Sequence, residues 1–229
     1  MTELWQGFLK AIELIITLDP EVIEITRRSL LIALSSCCIA SLICLPLGSI
    51  IHFNKFPGRR FLINLIQTLY SIPTVAVGLF VFVLISSSGP FGFLDILFTP
   101  VAMVVGQVVL IIPIILGLII SALRGVDKSV TETAISLGAT RIQTTTLIYK
   151  EARFAIITAV IMGFGRAISE VGLSLMVGGN IRGFTRTITT AISLETSKGD
   201  IELSIALGII LIALALVINL ILTRLQQRY

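Results

Sequence analysis

The sequence predicts an all-α polytopic membrane protein with five transmembrane helices and an N-terminal helix in the membrane interface. Of its 229 residues, 55% are hydrophobic and only 13% are charged, whereas soluble domains carry about 25% charged residues. The mean hydropathy is +1.04, and apolar stretches long enough to span a bilayer recur along the chain. We therefore divide the chain into an N-terminal amphipathic helix and linker, residues 1–28, and a transmembrane domain, residues 29–229.

The N-terminal residues 2–18 have the periodicity of an amphipathic helix. Leu4, Phe8 and Ile12 share one face, whereas Lys10 lies on the opposite face. This pattern is typical of a helix that lies in the membrane interface. The segment is shorter than the roughly 20 apolar residues of a span, and an Asp-Pro pair ends it.

Five apolar segments follow, and each is predicted to cross the membrane. They are residues 29–53, 61–87, 100–123, 154–177 and 201–222. The second contains Pro73 and Gly78, so we expect it to be bent or interrupted, which membrane helices tolerate where neighbours satisfy the freed backbone. The first is rich in small residues, which let transmembrane helices approach closely.

The first segment also holds all three cysteines, Cys37, Cys38 and Cys44, and the single histidine, His52, near its end. A metal site is one interpretation of this cluster. It would need more ligands than one helix face offers, so we favour packing and expect no metal ion.

Residues 124–153, called the central segment below, are the longest stretch that looks soluble. Ser129 and Glu132 have the spacing of a capping box, which predicts a helix start. Gly138 is predicted to end that helix in the left-handed conformation. Thr140 begins a second pair with the same spacing, so a second short helix should follow at once. A loop that only connected two membrane spans would not need two ordered helices. The alternative is a basic, solvated loop that docks on no partner.

The fourth apolar segment contains polar and charged residues, whose burial in a membrane is energetically unfavourable. Arg166, Glu170 and Ser174 are spaced to form one stripe on a helix. Ionisable residues within a span usually face a bundle interior or water and mark a transport path. The alternative is an Arg166–Glu170 ion pair that only holds the bundle together, and the two interpretations are compatible.

A glycine-rich turn with two arginines, Arg182 and Arg186, comes next. Backbone N–H groups in glycine turns form concavities that bind anions. The turn is therefore a candidate anion-handling surface, or else an ordinary external turn.

The central segment resembles the EAA loop of ABC-importer permeases, which contacts the ATPase subunit. Glu132, Thr133 and Ala134 match the tripeptide, with threonine in place of its first alanine, and Gly138 matches the glycine. The Leu-Pro that follows in the family is replaced by Lys-Glu. The resemblance implies that the residues contacting the ATPase are Ser129, Glu132, Thr133, Ala134, Leu137, Gly138 and Ala139.

Residues 165–199 closely resemble the permease subunits of tungstate-uptake ABC importers, a group related to molybdate and sulfate permeases. The shared pattern is an acidic residue before a Met-Val-x-Gly-Asn run, here ending at Asn180. This similarity implies a type I ABC-importer permease fold, also called MetI-like. We predict that the translocation path is lined by Arg166, Ser169, Glu170, Ser174, Gly178, Gly179 and Asn180.

The resemblance also implies a set of partners: a second copy of the chain, two ABC ATPase subunits and an extracytoplasmic oxyanion-binding protein. The expected substrate is tungstate, with molybdate or sulfate as alternatives. The chain lacks the P-loop pattern G-x-x-x-x-G-K-[ST], so ATP and Mg²⁺ should bind the partner ATPase and this chain should hold no cofactor.

Other functional classes fit the sequence less well. The chain shows no nucleophile–histidine–acid set, so we do not expect an enzyme. Its basic residues are dispersed and lack interleaved aromatics, which argues against nucleic-acid binding. A secondary anion transporter is the alternative outside the ABC class, but it would be expected to show an internal repeat, and none is visible.

The charge distribution predicts the orientation in a prokaryotic inner membrane. Residues 54–60 hold 3 basic residues and the central segment holds 5, against 0 in residues 88–99 and 3 in residues 178–200. By the positive-inside rule the first two regions and the C-terminus should be cytoplasmic, and the N-terminus should lie outside.

Overall fold

The structure is a computed structural model that describes the backbone of residues 2–227 and the side chains of residues 4–220 and 224. The end of the C-terminal tail, which the topology prediction places in the cytoplasm, lies outside the described residues. The described chain is helical: α1 (Thr2–Ile16), α2 (Pro20–Phe53), α3 (Arg59–Thr68), α4 (Thr74–Ile85), α5 (Pro100–Arg124), α6 (Lys128–Ser136), α7 (Arg141–Ile168), α8 (Gly172–Gly178), α9 (Ile188–Lys198) and α10 (Ile201–Gln227).

Three of these helices, α2, α5 and α10, are long and apolar enough to cross a membrane alone. Two further units are bent pairs: α3 and α4 meet at 102°, and α7 and α8 meet at 61°. The total is five spans if each bent pair is counted as one. The expected interruption of the second segment is therefore present, at Pro73. The expectation that the fourth segment is one continuous helix is wrong, because α7 ends at Ile168 and α8 begins only at Gly172.

Helix α2 starts earlier than the sequence suggested. The Asp19 side chain accepts a hydrogen bond from the Val22 N–H at 3.0 Å, and Pro20 occupies the first turn, where its missing N–H costs nothing. The helix then continues to Phe53, so the suggested boundary between residues 28 and 29 lies inside it.

Helix α1 packs against the first half of α10 through small residues. Ala11 and Leu14 are buried together with Ala206 and Ile210. A Cβ atom on Gly7 would lie 2.5 Å from the Ile205 side chain, so only glycine permits this approach. The larger apolar side chains of α1, such as Leu4, Trp5 and Phe8, remain exposed.

Helix α5 is the centre of the bundle. In its most apolar stretch 61% of residues are buried, against 33% in α2 and 22% in α10. It contacts α2, α3, α4, α7 and α8, and Met103, Ile111, Ile115 and Ile119 are fully buried on it. The packing is close, since a Cβ on Gly48 of α2 would lie 2.7 Å from Ile119. This fits the expected role of small residues between membrane helices.

The two ends of α2 contact different functional regions. Near its start, Arg28 donates to the Arg186 carbonyl at 3.1 Å. Near its end, the Tyr149 hydroxyl of the central segment donates to the Leu45 carbonyl at 2.8 Å and lies 2.5 Å from the Ser49 hydroxyl. About 30 Å of helix separates Arg28 from Ser49, which is the thickness of a bilayer core. The central segment and the glycine-rich turn therefore lie at opposite ends of the bundle.

Candidate functional site

The first helix of the central segment, α6, is capped by Asp127. Its carboxylate accepts a hydrogen bond from the Ser129 N–H at 2.8 Å, and this bond holds the pKa of the exposed Asp127 carboxyl below its ordinary value. The prediction that Ser129 caps the helix is wrong, because Ser129 already lies in the first turn. Aspartate and serine are both good caps, and the aspartate two residues earlier occupies the cap position.

Helix α6 ends at Ser136, and Gly138 follows its last turn in the predicted left-handed conformation, with a φ of +78°. The Gly138 N–H donates to the Ile135 carbonyl at 2.9 Å, and the Ala139 N–H donates to the Ala134 carbonyl at 3.0 Å. These two bonds form a Schellman motif, which satisfies the last carbonyls of a helix. A Cβ on Gly138 would meet no atom within 4 Å, so the left-handed backbone alone requires glycine here.

The central segment presents large apolar side chains to its surroundings. Leu137 is 82% exposed, Ile135 is 61% exposed and Ile142 is 80% exposed. Ala134 faces inward and is buried, while Glu132 and Thr133 are exposed. Exposed apolar side chains grouped on one polar segment are typical of a docking surface. Leu137 was among the predicted contact residues, whereas Ile135 was not.

The second helix of the central segment is part of a longer one. The predicted capping box is confirmed: the Thr140 N–H donates to Gln143 Oε1 at 2.8 Å, and the Gln143 N–H donates to Thr140 Oγ1 at 3.4 Å. The helix then runs without a break to Ile168. The expectation of a separate short helix is therefore wrong. The second half of the central segment is the first part of α7, so the segment and the rest of α7 form one continuous helix.

A polar break separates α7 from α8, and Glu170 lies in it, only 2% exposed. One carboxylate oxygen accepts a hydrogen bond from Arg166 Nη1 at 3.0 Å. The other accepts from the Leu173 N–H at 2.9 Å, which caps the start of α8. The Glu170 carbonyl in turn accepts from the Thr189 hydroxyl at 2.9 Å. The Glu170 carboxylate therefore has two roles: it pairs with Arg166 and it holds the bend between α7 and α8.

The break also corrects the predicted polar stripe. Arg166 lies on α7, Glu170 lies between the helices and Ser174 lies on α8, so the three do not share one helix face. Arg166 and Ser169 line a cavity of about 610 Å³ whose other walls are mainly apolar side chains of α7 and α10. The Arg166 side chain is 34% exposed there.

The remaining predicted path residues lie elsewhere. Ser174 is 1% exposed on α8, and a Cβ on Gly178 would lie 2.7 Å from Met103 of α5. Gly179, with a φ of +69°, ends α8. Asn180 donates from its side chain to the Thr190 carbonyl at 3.3 Å. The structure thus brings Arg166, Ser169 and Glu170 together but places these four residues in a packed helix and its terminal turn.

The two arginines of the glycine-rich turn are paired rather than free. Arg182 donates from Nε to Glu21 at 3.0 Å, and Arg186 donates to the same carboxylate at 3.3 Å. Arg28 pairs with Glu24 and also donates to the Gly183 carbonyl at 2.8 Å. The candidate anion-handling surface is therefore largely neutralised by α2, a contact across more than 150 residues of sequence.

Two polar residues near the break were missed by the sequence analysis. Gln107 of α5 is 3% exposed and donates to the Ala167 carbonyl at 3.1 Å. Its Oε1 is buried with no hydrogen-bond partner among the described residues. Asn219 of α10 lines the same cavity as Arg166. Each is a single amide side chain within an apolar stretch, and this pattern could have identified both residues from the sequence.

The part of the chain that the structure describes holds no group of three or more His, Cys, Asp or Glu side chains arranged to bind a metal ion. Cys37 and Cys44 are buried in the main core. Their thiols point at the carbonyls of Val160 and Ile112, at 3.4 Å and 3.5 Å, so both cysteines contribute to helix packing.

Comparison with known proteins finds permeases that are similar in sequence to this chain. Two tungstate uptake system permease proteins are similar over almost the whole chain. One, from Peptoclostridium acidaminophilum, is 37% identical over 97% of this chain and 97% of its own length. The other, from Campylobacter jejuni, is 39% identical over 98% of this chain and 94% of its own length.

A probable anion ABC transporter permease protein from Haloferax volcanii is 39% identical over 90% of this chain and 91% of its own length. Residues 44–229 match the family described as binding-protein-dependent transport system inner membrane component. The chain therefore belongs to the family of inner-membrane permease components of binding-protein-dependent transport systems.

Proposed function

We propose that this chain is the permease subunit of an ATP-driven importer for a tetrahedral oxyanion, and that the oxyanion is tungstate. The observation that carries the proposal is the similarity, over nearly the full length of both chains, to two permeases of tungstate uptake systems. Molybdate and sulfate are the alternatives within the class, because they share the tetrahedral shape and the double negative charge.

The proposed contact with the ATPase is the central segment. The hydrogen bonds that the Gly138 and Ala139 N–H groups donate hold the C-terminal end of α6. Leu137 and Ile135 provide exposed apolar surface. Tyr149 ties the segment to α2, and the uninterrupted α7 leads from it to the bend at Glu170. This arrangement supports a mechanism in which movement of α6 by the ATPase is transmitted along α7.

The proposed path residues are Arg166 and Ser169, and the adjacent Glu170 holds the bend between α7 and α8. The cavity beside Arg166 places the guanidinium of the Arg166–Glu170 ion pair in a mainly apolar surround. Glu170 balances part of its charge, and the 34% of the side chain that stays exposed is the part that could attract an anion, in a low dielectric that strengthens the attraction. A second copy of the chain would complete the path, with two ATPase subunits at the central segments and an oxyanion-binding protein at the opposite face. We place the N-terminus outside, in agreement with the charge distribution.

Uptake into vesicles tests this function. Vesicles that hold this chain with its ATPase, and are supplied with the binding protein, should accumulate tungstate only when ATP is hydrolysed. Molybdate and sulfate, tested separately and as competitors, decide among the oxyanions. Accumulation driven by an ion gradient without ATP would instead favour the secondary-transporter alternative.

A further inference from the structure

A basic cavity lies at the end of the bundle where α2 turns into α3. Its volume is about 400 Å³ and it is lined by Lys55, Phe56, Gly58, Arg59, Arg60 and Arg124. Four of these six residues are cationic and, among the described residues, no acidic side chain lines the cavity. The lining comes from three places in the sequence: the turn after α2, the start of α3 and the end of α5.

None of the four cations in this cavity forms an ion pair with a described residue. Ion pairs are present elsewhere, at Lys10, Arg28, Arg166, Arg182, Arg186 and Lys198. Arg59 donates from Nη2 to the His52 carbonyl at 2.8 Å, which fixes its guanidinium. Its Nε is nevertheless buried with no hydrogen-bond partner in residues 4–220. Buried donors of this kind are normally satisfied.

The start of α3 adds to the same positive potential. Gly58 precedes the helix with a φ of +83°, and no side chain of the described residues caps the first turn. The free N–H groups of a helix N-terminus carry a partial positive charge and favour an anion. A Cβ on Gly58 would meet no atom within 4 Å, so the space beside Gly58 itself is open.

We propose that this cavity binds a phosphate-type anion, and that its source is the headgroup of an anionic phospholipid. Its position at the ends of the membrane helices α2 and α5 brings it to the level of lipid headgroups, and basic pockets between membrane helices bind such groups. Arg124 is the first residue of the central segment, so the bound headgroup would hold the start of that segment against the turn after α2. A free oxyanion has the same chemistry and is the other possible source.

The test compares the full chain in nanodiscs of phosphatidylcholine with and without phosphatidylglycerol. Bound phosphatidylglycerol is counted by native mass spectrometry. The test variant is Arg60→Gln with Arg124→Gln, which leaves the Arg59 bond to His52 intact. The matched control is Arg141→Gln with Lys150→Gln, which removes two exposed basic residues of α7 that lie outside the cavity. Equal melting temperatures in phosphatidylcholine show that both variants fold.

Wild type and the control should retain phosphatidylglycerol, and the test variant should bind it on the order of tenfold more weakly. Millimolar tungstate or phosphate added to phosphatidylcholine nanodiscs forms the second arm. Stabilisation of wild type but not of the test variant in that arm, without lipid retention, would assign the cavity to a free oxyanion.

Three results would overturn the proposal. The first is a wild-type chain that retains phosphatidylglycerol no better than phosphatidylcholine and gains nothing from either inorganic anion. The second is an equal loss in the test variant and the control. The third is a test variant that binds anions normally but no longer recovers the ATPase, since the cavity would then belong to that protein interface. The measurement needs no transport, so its outcome is separate from that of the proposed function.

Discussion

The guanidinium of Arg166 donates a hydrogen bond to the buried carboxylate of Glu170 at 3.0 Å, across the point where α7 ends. The second oxygen of the same carboxylate accepts from the Leu173 N–H at 2.9 Å and caps α8. A membrane chain could have continued as one straight helix here. Instead, a single carboxylate satisfies both a cation and the first turn of the next helix, so the bend depends on it.

This double role predicts how replacement of the pair behaves. Arg166→Met with Glu170→Gln keeps an acceptor for the Leu173 N–H, whereas Arg166→Met with Glu170→Leu does not. An unsatisfied buried N–H costs about 1–3 kcal/mol, so the second double variant should be less stable by about that amount. Thermal unfolding in detergent measures the difference. Equal melting temperatures for the two would show that the cap at Leu173 contributes nothing.

Transport by the first double variant separates the two interpretations of Arg166. If Arg166 attracts the anion in the cavity, Arg166→Met with Glu170→Gln should assemble normally and transport poorly in the vesicle assay. This variant removes both charges together and keeps the acceptor for the Leu173 N–H, so it leaves no unpaired buried charge. Full transport activity would therefore leave the pair with a structural role alone.

Gly138 is predicted to support ATPase docking because its backbone is left-handed. Gly138→Ala adds a side chain in open space, so the cost is the left-handed conformation itself, about 1–2 kcal/mol. That cost should change the end of α6 and reduce recovery of the ATPase on co-purification, while expression stays normal. Gly199→Ala is the matched control, because Gly199 has a φ of +85° and equally open space at the end of α9. Equal ATPase recovery in both variants would argue against docking through α6.

Leu137 should contribute to ATPase docking through its exposed side chain. Leu137→Ser removes apolar surface that is 82% exposed in the free chain, so folding should be unaffected. Burial of a leucine is worth about 1.5–3 kcal/mol, and ATPase affinity should fall on the order of tenfold or more. Phe93→Ser is a control, since Phe93 is 80% exposed in the loop between α4 and α5. A larger effect at Phe93 would relocate the interface.

Asp127 should stabilise α6 throughout the physiological pH range. The hydrogen bond from the Ser129 N–H lowers the pKa of Asp127, so its contribution is present above the ordinary aspartate pKa of about 3.9. It is lost only as the pH falls through the lower pKa of the folded chain. Hydrogen exchange of the α6 amides, corrected for intrinsic rates, should therefore show constant protection between about pH 5 and pH 8. Asp127→Ala should lose protection in that range, whereas Ser129→Ala should retain it.

The proposed orientation is tested by cysteine labelling in a background without native cysteines. Lys128→Cys should react only after the cytoplasmic side is opened, and Ile181→Cys should react from outside. Ile181 is 44% exposed, whereas Thr185 in the same turn is fully buried and unsuited to labelling. Reaction of both positions from the same side would overturn the topology.

The sequence by itself determined the features that depend on local physics. The five apolar units follow from hydropathy, because lipid selects for segment length and composition. The left-handed Gly138 and the capping box at Thr140 follow from the few residues around each of them. The cap of α6 marks the limit of local reasoning, because the sequence predicted Ser129 whereas the structure has the cap at Asp127, two positions earlier.

Only the tertiary structure decided the features that join distant parts of the chain. The bend at Glu170 is held by Thr189 and by the Gln107 bond to Ala167. A pattern read along one helix cannot include these partners, so the sequence predicted a continuous stripe. The pairing of Arg182 with Glu21 likewise joins residues 161 positions apart. Only the packing of α2 against the turn brings Glu21 to Arg182, because local sequence contains no information about which distant element will lie beside the turn.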